Sequence, residues 1–183
     1  TNPTESCILP RIIRKEMHPL EEDQVAVFLR EVQGHPHEYL YKIALFTGLR
    51  EGEVLGLGWE HIDFQAGTLT VKRQLRREQK KGGEYYFSPP KNNKSRCLTL
   101  APSVIQLFRL QKLEQNSMRM EAGDAWEEHG LIFTNQTGGY LSYRTVYDCF
   151  KRIVRNIGAP ATRFHDLRHT FAVASIKSGD DIK

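Results

Sequence analysis

Two histidines and an arginine lie within one turn of a predicted helix near the end of the sequence. His165, Arg168 and His169, in "RFHDLRHTFA", have the spacing i, i+3 and i+4, which brings their side chains toward one helix face. Such a group could bind a metal ion through its histidines, hold a phosphate group, or form an ordinary polar helix surface. The neighbouring residues and the remaining sequence bear on this choice.

The residues around the two histidines disfavour a metal site. Asp166 follows His165 where the HExxH zinc motif needs a glutamate. Arg168 also places a fixed positive charge between the two ligands. No third cluster of ligands stands out, although His35 and His37 form a loose pair. We therefore expect no metal cofactor.

Two further stretches favour phosphate binding. In "LFTGLREGEVLGL", Arg50 follows a predicted helix break at Gly48 and has Glu51 and Glu53 nearby. Its planar guanidinium suits bidentate contact with phosphate oxygens. In "SPPKNNKSRCLTL", Lys91 lies in a turn-forming run that is predicted to be the tip of a β-hairpin. A lysine on such a tip could reach DNA and donate a proton to an oxygen. Either feature alone also fits an ordinary exposed residue.

The positive charge of the chain is concentrated in one segment. The net charge is +4, but residues 71–96 hold nine Lys or Arg against two Glu, a local charge of +7, and the remaining chain has 17 basic against 20 acidic residues. This distribution is typical of a surface that meets a polyanion. We therefore predict that the following residues, other than the turn lysine Lys91, bind DNA: Lys72, Arg73, Arg76, Arg77, Lys80, Lys81, Lys94 and Arg96.

Periodicity predicts a mainly helical domain with one small antiparallel sheet, an α+β fold. Helices are expected after Pro19, over "HEYLYKIALFTGL", after Gly48, from Pro102, from a Ser142 cap, and around the two histidines. Strands are expected over "GTLTVKRQL", "EYYFSP" and "SRCLTL", with a hairpin turn at Gly82-Gly83. "GLIFTNQTGGYLS" is predicted to form two more short strands.

Length and composition exclude several classes of protein. The chain has 183 residues, 39% of them hydrophobic, enough for one domain with a real core. No apolar run reaches the length of a membrane span. Three widely spaced cysteines, with no CxxC pair, argue against a disulfide framework. The cysteines fit a reducing cytosol.

The order of these motifs resembles the catalytic domain of the tyrosine recombinases, in particular the integrases of phages and conjugative transposons. The resemblance rests on "TGLREGEVLGLGW", then "PPKNNKSRCLTL", "GLIF" and "HDLRHTFA", and it runs from about Pro19 to the last residue. It implies site-specific cleavage and rejoining of DNA strands through a 3′-phosphotyrosyl intermediate. The implied biological role is the integration and excision of a mobile element. The implied location is the bacterial cytoplasm, with the protein on the nucleoid when it is bound to DNA.

The resemblance also implies a role for each matched residue. Arg50, His165 and Arg168 match the family's catalytic arginines and histidine, and Lys91 matches the lysine that protonates the 5′-oxygen, with Lys94 as the second candidate. Glu53 matches the acidic residue that supports the first arginine, and His169 is expected to be a supporting residue. The implied chemistry uses neither a metal ion nor ATP, because the tyrosyl phosphate keeps the bond energy.

The chain departs from the family pattern in one respect. The family's nucleophilic tyrosine follows the His-x-x-Arg motif by about thirty residues, whereas all seven tyrosines here precede His165. We therefore expect residues 1–18 to be a linker or arm from an absent N-terminal DNA-binding domain, residues 19–183 to be a catalytic domain without its C-terminal segment, and this fragment to be inactive alone. Double-stranded DNA and other recombinase protomers are the expected partners. An inactive DNA-binding or regulatory module of the same fold is the alternative.

Overall fold

Six α-helices and five short β-strands form the part of the chain that the structure, a computed structural model, describes: residues 16–177. The helices are α1 (Glu22–Glu31), α2 (Glu38–Thr47), α3 (Glu51–Leu55), α4 (Pro102–Ala122), α5 (Tyr143–Asn156) and α6 (Asp166–Lys177). The strands are β1 (Ile62–Asp63), β2 (Thr68–Val71), β3 (Gln74–Arg77), β4 (Tyr85–Ser88) and β5 (Arg96–Thr99). The predicted fold class, mainly helical with a small antiparallel component, is confirmed.

Helix α2 is the central helix, because it packs against both α4 and α6. The residues of one face, at helical spacing in the sequence, are all buried: Leu40, Ile43, Ala44 and Thr47. A group of edge-to-face and tilted aromatic rings joins it to its neighbours: Phe28, Tyr41, Phe150 and Phe164. Burial of such large rings dominates the energetics of a core. The apolar periodicity of the sequence therefore places α2 correctly.

The strands form two separate antiparallel sheets rather than the one expected. The first has the order β1-β2-β5, and the second is the β3-β4 hairpin. The predicted single strand "GTLTVKRQL" is thus wrong, because the chain leaves the first sheet at Lys72-Arg73 and enters the second. There Arg73 Nε donates a hydrogen bond to the Gly56 carbonyl at 2.9 Å. The predicted Gly82-Gly83 turn between the two hairpin strands is present.

The sequence predicted that Lys91 lies at the tip of a hairpin, and this prediction is wrong. Strand β4 pairs with β3, and β5 pairs with β2, so the two strands that flank the segment belong to different sheets. Lys91–Asn93 forms a 3-10 turn, in which Asn92 and Asn93 have positive φ angles of 70° and 55°. Asparagine tolerates this left-handed conformation better than most residues.

Two other local predictions need correction. The segment "GLIFTNQTGGYLS" forms isolated bridges, Gly58 with Leu131 and Thr134 with Tyr140, instead of two strands. Ser142 is the residue before α5, but its side chain makes no capping hydrogen bond. Within residues 16–177, no helix is both long and apolar enough to cross a membrane. Most of the predicted linker, and the last six residues, lie outside the described range.

Candidate active site

The turn between α2 and α3 positions Arg50. Helix α2 ends at Gly48, whose φ of 61° is the left-handed conformation that favours glycine. A Cβ atom at this position would also lie only 2.6 Å from Cδ1 of Phe171 in α6. Leu49 is then buried, and Arg50 is the first residue of the turn into α3. The turn that carries Arg50 therefore packs directly against α6.

The Glu53 carboxylate accepts hydrogen bonds from two arginines, at both of its oxygens. Its Oε1 accepts hydrogen bonds from Arg50 Nη1 at 3.0 Å and Arg96 Nη1 at 2.9 Å. Its Oε2 accepts from the Arg50 backbone N–H at 2.9 Å and from Arg96 Nη2 at 2.7 Å. The residue is fully buried, with 0% of its surface exposed. Four N–H donors, three from two guanidiniums and one from the backbone, therefore satisfy this carboxylate away from water.

The pKa of Glu53 shows which effect prevails in this arrangement. Burial by itself would raise the pKa, because it penalises the charged form. The hydrogen bonds from Arg96 and from the Arg50 backbone, together with the positive charges, outweigh burial and lower the pKa of Glu53 to about 2. Glu53 is therefore an anion at any physiological pH, as its predicted supporting role requires.

Helix α6 positions the second arginine. Its first residue, the fully buried Asp166, accepts hydrogen bonds from the Arg163 backbone N–H and guanidinium at 2.9–3.0 Å. Two residues later, Arg168 Nη1 donates to the Gly48 carbonyl at 2.6 Å. This bond joins α6 to the turn that precedes Arg50. Arg50 and Arg168 are 118 positions apart in the sequence. One backbone turn nevertheless joins them, because it carries Arg50 and its Gly48 carbonyl binds Arg168.

Three guanidiniums and one imidazole of this site lie close enough to interact electrostatically. Burial and then the charges of Arg50 and Arg96 lower the pKa of Arg168. Burial, His169, Arg168 and Arg50 lower the pKa of His165. Like charges affect one another in this way only over short distances. The predicted residues Arg50, His165 and Arg168 therefore converge, and the site is suited to an anion.

His165, the residue before α6, and His169, in the first turns of α6, lie close together. Their ring centroids are 5.1 Å apart, and the ring planes are nearly perpendicular. His165 is exposed, whereas His169 is half-buried. Within residues 16–177, no group of three or more His, Cys, Asp or Glu could hold a metal ion. Metal-free chemistry stays a prediction, since it concerns the reaction and not this arrangement alone.

Lys91 and Lys94 are exposed on either side of the 3-10 turn. The turn leads directly into β5, whose first residue is Arg96. The chain thus connects the predicted general acid to the Glu53 cluster within five residues. The assignment of the acid to Lys91, with Lys94 second, stays a prediction.

The predicted DNA-binding residues differ in their surroundings. Six are exposed: Lys72, Arg76, Arg77, Lys80, Lys81 and Lys94. Arg77 and Lys80 nevertheless contact the hairpin, through the Gly83 carbonyl and Glu78 respectively. Two are only half-buried and use their guanidiniums within the protein: Arg73, which also lies 4.1 Å from the Phe87 ring centroid, and Arg96. Sequence reasoning missed these inward contacts.

The family comparison decides the relationship. The model of the phage integrase family matches residues 18–183. The chain belongs to this family. Its membership confirms the recognition made from the Arg50 and His-x-x-Arg motifs, and the matched range includes every predicted site residue.

Individual relatives agree with this family. A tyrosine recombinase XerC-like protein of Caldanaerobacter subterraneus subsp. tengcongensis is 28% identical over 93% of this chain and 46% of its own length. An integrase of Saccharopolyspora erythraea is 24% identical over 97% of this chain and 52% of its own length. The chain thus spans about half the length of these curated relatives.

Solved structures confirm the fold. The Tn1549 transposon integrase, in complex with transposon right end DNA, matches with a TM-score of 0.76 at 24% identity, over 92% of this chain and 56% of that one. The XerA recombinase matches with a TM-score of 0.67 at 19% identity, over 92% of this chain and 54% of that one. At these identities the likeness concerns the fold.

Proposed function

We propose that this chain is the catalytic domain of a site-specific tyrosine recombinase that cleaves and rejoins DNA strands in the integration and excision of a mobile element. The convergence of Arg50, Arg168 and His165 on one site is the observation that supports it. A pure binding module needs phosphate contacts along a surface, but it does not need two half-buried arginines and an imidazole focused on one point. The proposed place of action is the bacterial cytoplasm, on chromosomal DNA.

The reaction follows from the residues of this site. Attack of a tyrosine oxygen on a phosphodiester releases the phenolic proton to solvent, forms a phosphorus–oxygen bond and breaks the bond to the 5′-oxygen. The transition state carries added negative charge on the non-bridging oxygens. Arg50 and Arg168 stabilise that charge with their free guanidinium donors. His165, whose pKa is lowered, is mostly neutral near pH 7 and donates an N–H hydrogen bond. Lys91 gives its proton to the departing 5′-oxygen.

The proposed partner is double-stranded DNA. The Tn1549 integrase was solved with transposon right end DNA and with circular intermediate DNA, and the XerH recombinase with its difH substrate. By likeness to these proteins, the exposed basic residues of the 71–96 segment hold the phosphate backbone, and further protomers assemble on the same DNA. The charge stabilisation comes from arginines, so the proposed chemistry uses no metal ion.

A small activated phosphodiester tests the site without knowledge of the recognition sequence. Bis(p-nitrophenyl) phosphate needs no general acid, because p-nitrophenolate leaves readily, and hydrogen peroxide supplies the nucleophile in place of tyrosine. We expect the chain to accelerate release of p-nitrophenolate by peroxide, and EDTA to leave the rate unchanged. Arg50→Ala and Arg168→Ala should each reduce the acceleration on the order of a hundredfold.

Two matched variants serve as controls. Lys91→Ala should retain the acceleration, because this leaving group needs no proton. Arg144→Ala should also retain it, since Arg144 is 86% exposed and pairs with Asp148 on the surface of α5. Absence of any acceleration, or equal activity of Arg168→Ala and the unaltered chain, would favour the inactive DNA-binding module instead. Loss in EDTA that zinc restores would favour a metal site at His165 and His169.

A further inference from the structure

Arg96 occupies both oxygens of the carboxylate that supports Arg50. Its Nη1 and Nη2 bind Oε1 and Oε2 of Glu53 at 2.9 and 2.7 Å, a fork-to-fork pair. Arg50 makes only one side-chain contact with the same carboxylate, Nη1 to Oε1 at 3.0 Å. A bidentate arginine is the stronger partner of a carboxylate. Arg96, not Arg50, is therefore the principal counter-charge of Glu53.

This division of contacts matters for Arg50. A guanidinium has five N–H donors, and Glu53 takes one from the Arg50 side chain, so the other four remain available. Without Arg96, the buried anion would have Arg50 as its only guanidinium partner among the observed contacts. The favoured geometry would then be the bidentate fork, which turns the Arg50 guanidinium toward Glu53. Arg50 would then have one donor edge fewer for the substrate, and Glu53 would neutralise more of its positive charge.

The fold fixes Arg96 for this role. Arg96 is the first residue of β5 and lies opposite Val71 of β2 in the register of the three-stranded sheet. The buried Val71 anchors that sheet in the core. The Lys91 turn ends three residues before Arg96. The Arg96–Glu53 pair consequently fastens the segment after Lys91 to the helix that begins after Arg50.

We propose that Arg96 is a positioning residue for the recombinase reaction. By binding both oxygens of Glu53, Arg96 limits the Arg50 side chain to a single hydrogen bond with this carboxylate. The rest of the Arg50 guanidinium stays free and oriented for the phosphate. This inference rests on the proposed function. It also assigns Arg96 a role different from that of the exposed basic residues of the 71–96 segment, which meet DNA directly.

The test uses the peroxide reaction with bis(p-nitrophenyl) phosphate. Arg96→Ala should lower kcat on the order of a hundredfold, as expected when a reacting group is misplaced by about an ångström, with little change in KM. Arg96→Lys should recover only part of the rate, because an ammonium group cannot grip both carboxylate oxygens at once. The control is Arg144→Ala, an exposed arginine paired with Asp148 on α5 and outside the site, which should leave kcat unchanged.

A double variant separates positioning from simple structural damage. When Glu53→Gln is added to Arg96→Ala, the carboxylate that captures Arg50 is gone, so the double variant should turn over faster than Arg96→Ala alone. If Arg96 only supported the fold, the second change would slow the reaction further. Urea unfolding of each variant, near pH 7, verifies that the compared proteins are folded.

The outcomes distinguish this inference from the function on which it rests. If the unaltered chain shows no acceleration, the proposed function fails. If it accelerates the reaction and Arg50→Ala abolishes the effect, but Arg96→Ala has normal kcat, the positioning role is wrong and the function stands. A double variant slower than Arg96→Ala would also overturn the positioning role. Faster turnover by the double variant supports it.

Discussion

Replacement of Glu53 by glutamine should destabilise the protein strongly near neutral pH. The change keeps the shape of the side chain but removes the negative charge that two guanidiniums share. A pKa lowered from 4.5 to about 2 corresponds to about 3 kcal/mol of folding free energy above the ordinary pKa. Loss of one member of a buried ion pair is of the same size, about 3–5 kcal/mol, because the partner charge is left uncompensated.

The effect should depend on pH in a defined direction. Glu53 has a lowered pKa in the folded protein, so its contribution is complete above about pH 4.5 and disappears as the pH falls through about 2. Urea unfolding near pH 7 should therefore show the full difference between the two proteins. Near pH 3 the difference should be about half as large, because the unfolded chain is already mostly protonated at this position while the folded one is not.

An exposed carboxylate provides the control. Glu78 forms an ion pair with Lys80 at 2.8 Å on the β3-β4 hairpin, in contact with solvent. Glu78→Gln should leave the free energy of unfolding nearly unchanged, because water screens such a pair. Equal losses for Glu53→Gln and Glu78→Gln would refute the reasoning. A loss for Glu53→Gln that is the same near pH 7 and pH 3 would refute it as well.

Three further predictions concern other parts of the site. If Lys91 is the general acid, a DNA substrate with a 5′-bridging sulfur should rescue Lys91→Ala but not Arg50→Ala. The assay is strand cleavage on gels, with the protein joined to the C-terminal segment of its relatives. Rescue of Lys94→Ala alone would identify Lys94 as the acid. Duplex binding by the present chain should weaken log-linearly with salt in fluorescence anisotropy, with little preference among sequences; a flat dependence would contradict phosphate binding by the 71–96 segment. Gly48→Ala should lower the free energy of unfolding by about 1–3 kcal/mol, because the new methyl group meets Phe171; unchanged denaturation would contradict the close packing of α2 against α6.

The sequence predicted the site better than it predicted the sheets. Arg50 could be placed from local signals, because a glycine after an apolar helix marks a helix end and the next residues begin a new one. Helical spacing likewise put His165 and Arg168 on one turn of α6. Their convergence with Arg50 required the family resemblance. Nothing in the spacing of residues 50 and 168 reveals that an Arg168 guanidinium bonds to the Gly48 carbonyl.

The strand pairing could not be predicted from local patterns. Strands β4 and β5 are separated by a short turn, which normally indicates a hairpin. Strand β5 instead returns to β2, 25 or more residues earlier, because Leu69 and Val71 present a buried edge there. Non-local pairing of this kind depends on which core each strand completes. The predicted hairpin at Lys91 failed for this reason.

The same limit explains the inward role of Arg96. Among nine basic residues in one segment, charge alone predicts a uniform DNA-binding surface. A buried acid elsewhere in the chain selects one of them as its partner. Glu53 was identified as a supporting residue for Arg50, three positions away, but its stronger partner lies 43 positions away. Short-range spacing therefore identified the acid and missed its principal counter-ion.

The balance of charge at this site explains why it should favour a phosphate that gains negative charge. Arg50, Arg96 and Arg168 share one field, and among the described contacts the Glu53 carboxylate is the only anion bonded to any of them. Among residues 16–177, the Gly48 carbonyl accepts a hydrogen bond from Arg168, and Glu53 acts on its charge through space, so the charge of Arg168 is compensated only in part. The repulsion among these arginines is relieved when an anion binds between them. It is relieved further as the negative charge of that anion grows. Burial is the larger cause of the lowered pKa of Arg168, and the repulsion from Arg50 and Arg96 adds to it. Relief of that repulsion would stabilise the transition state of phosphoryl transfer.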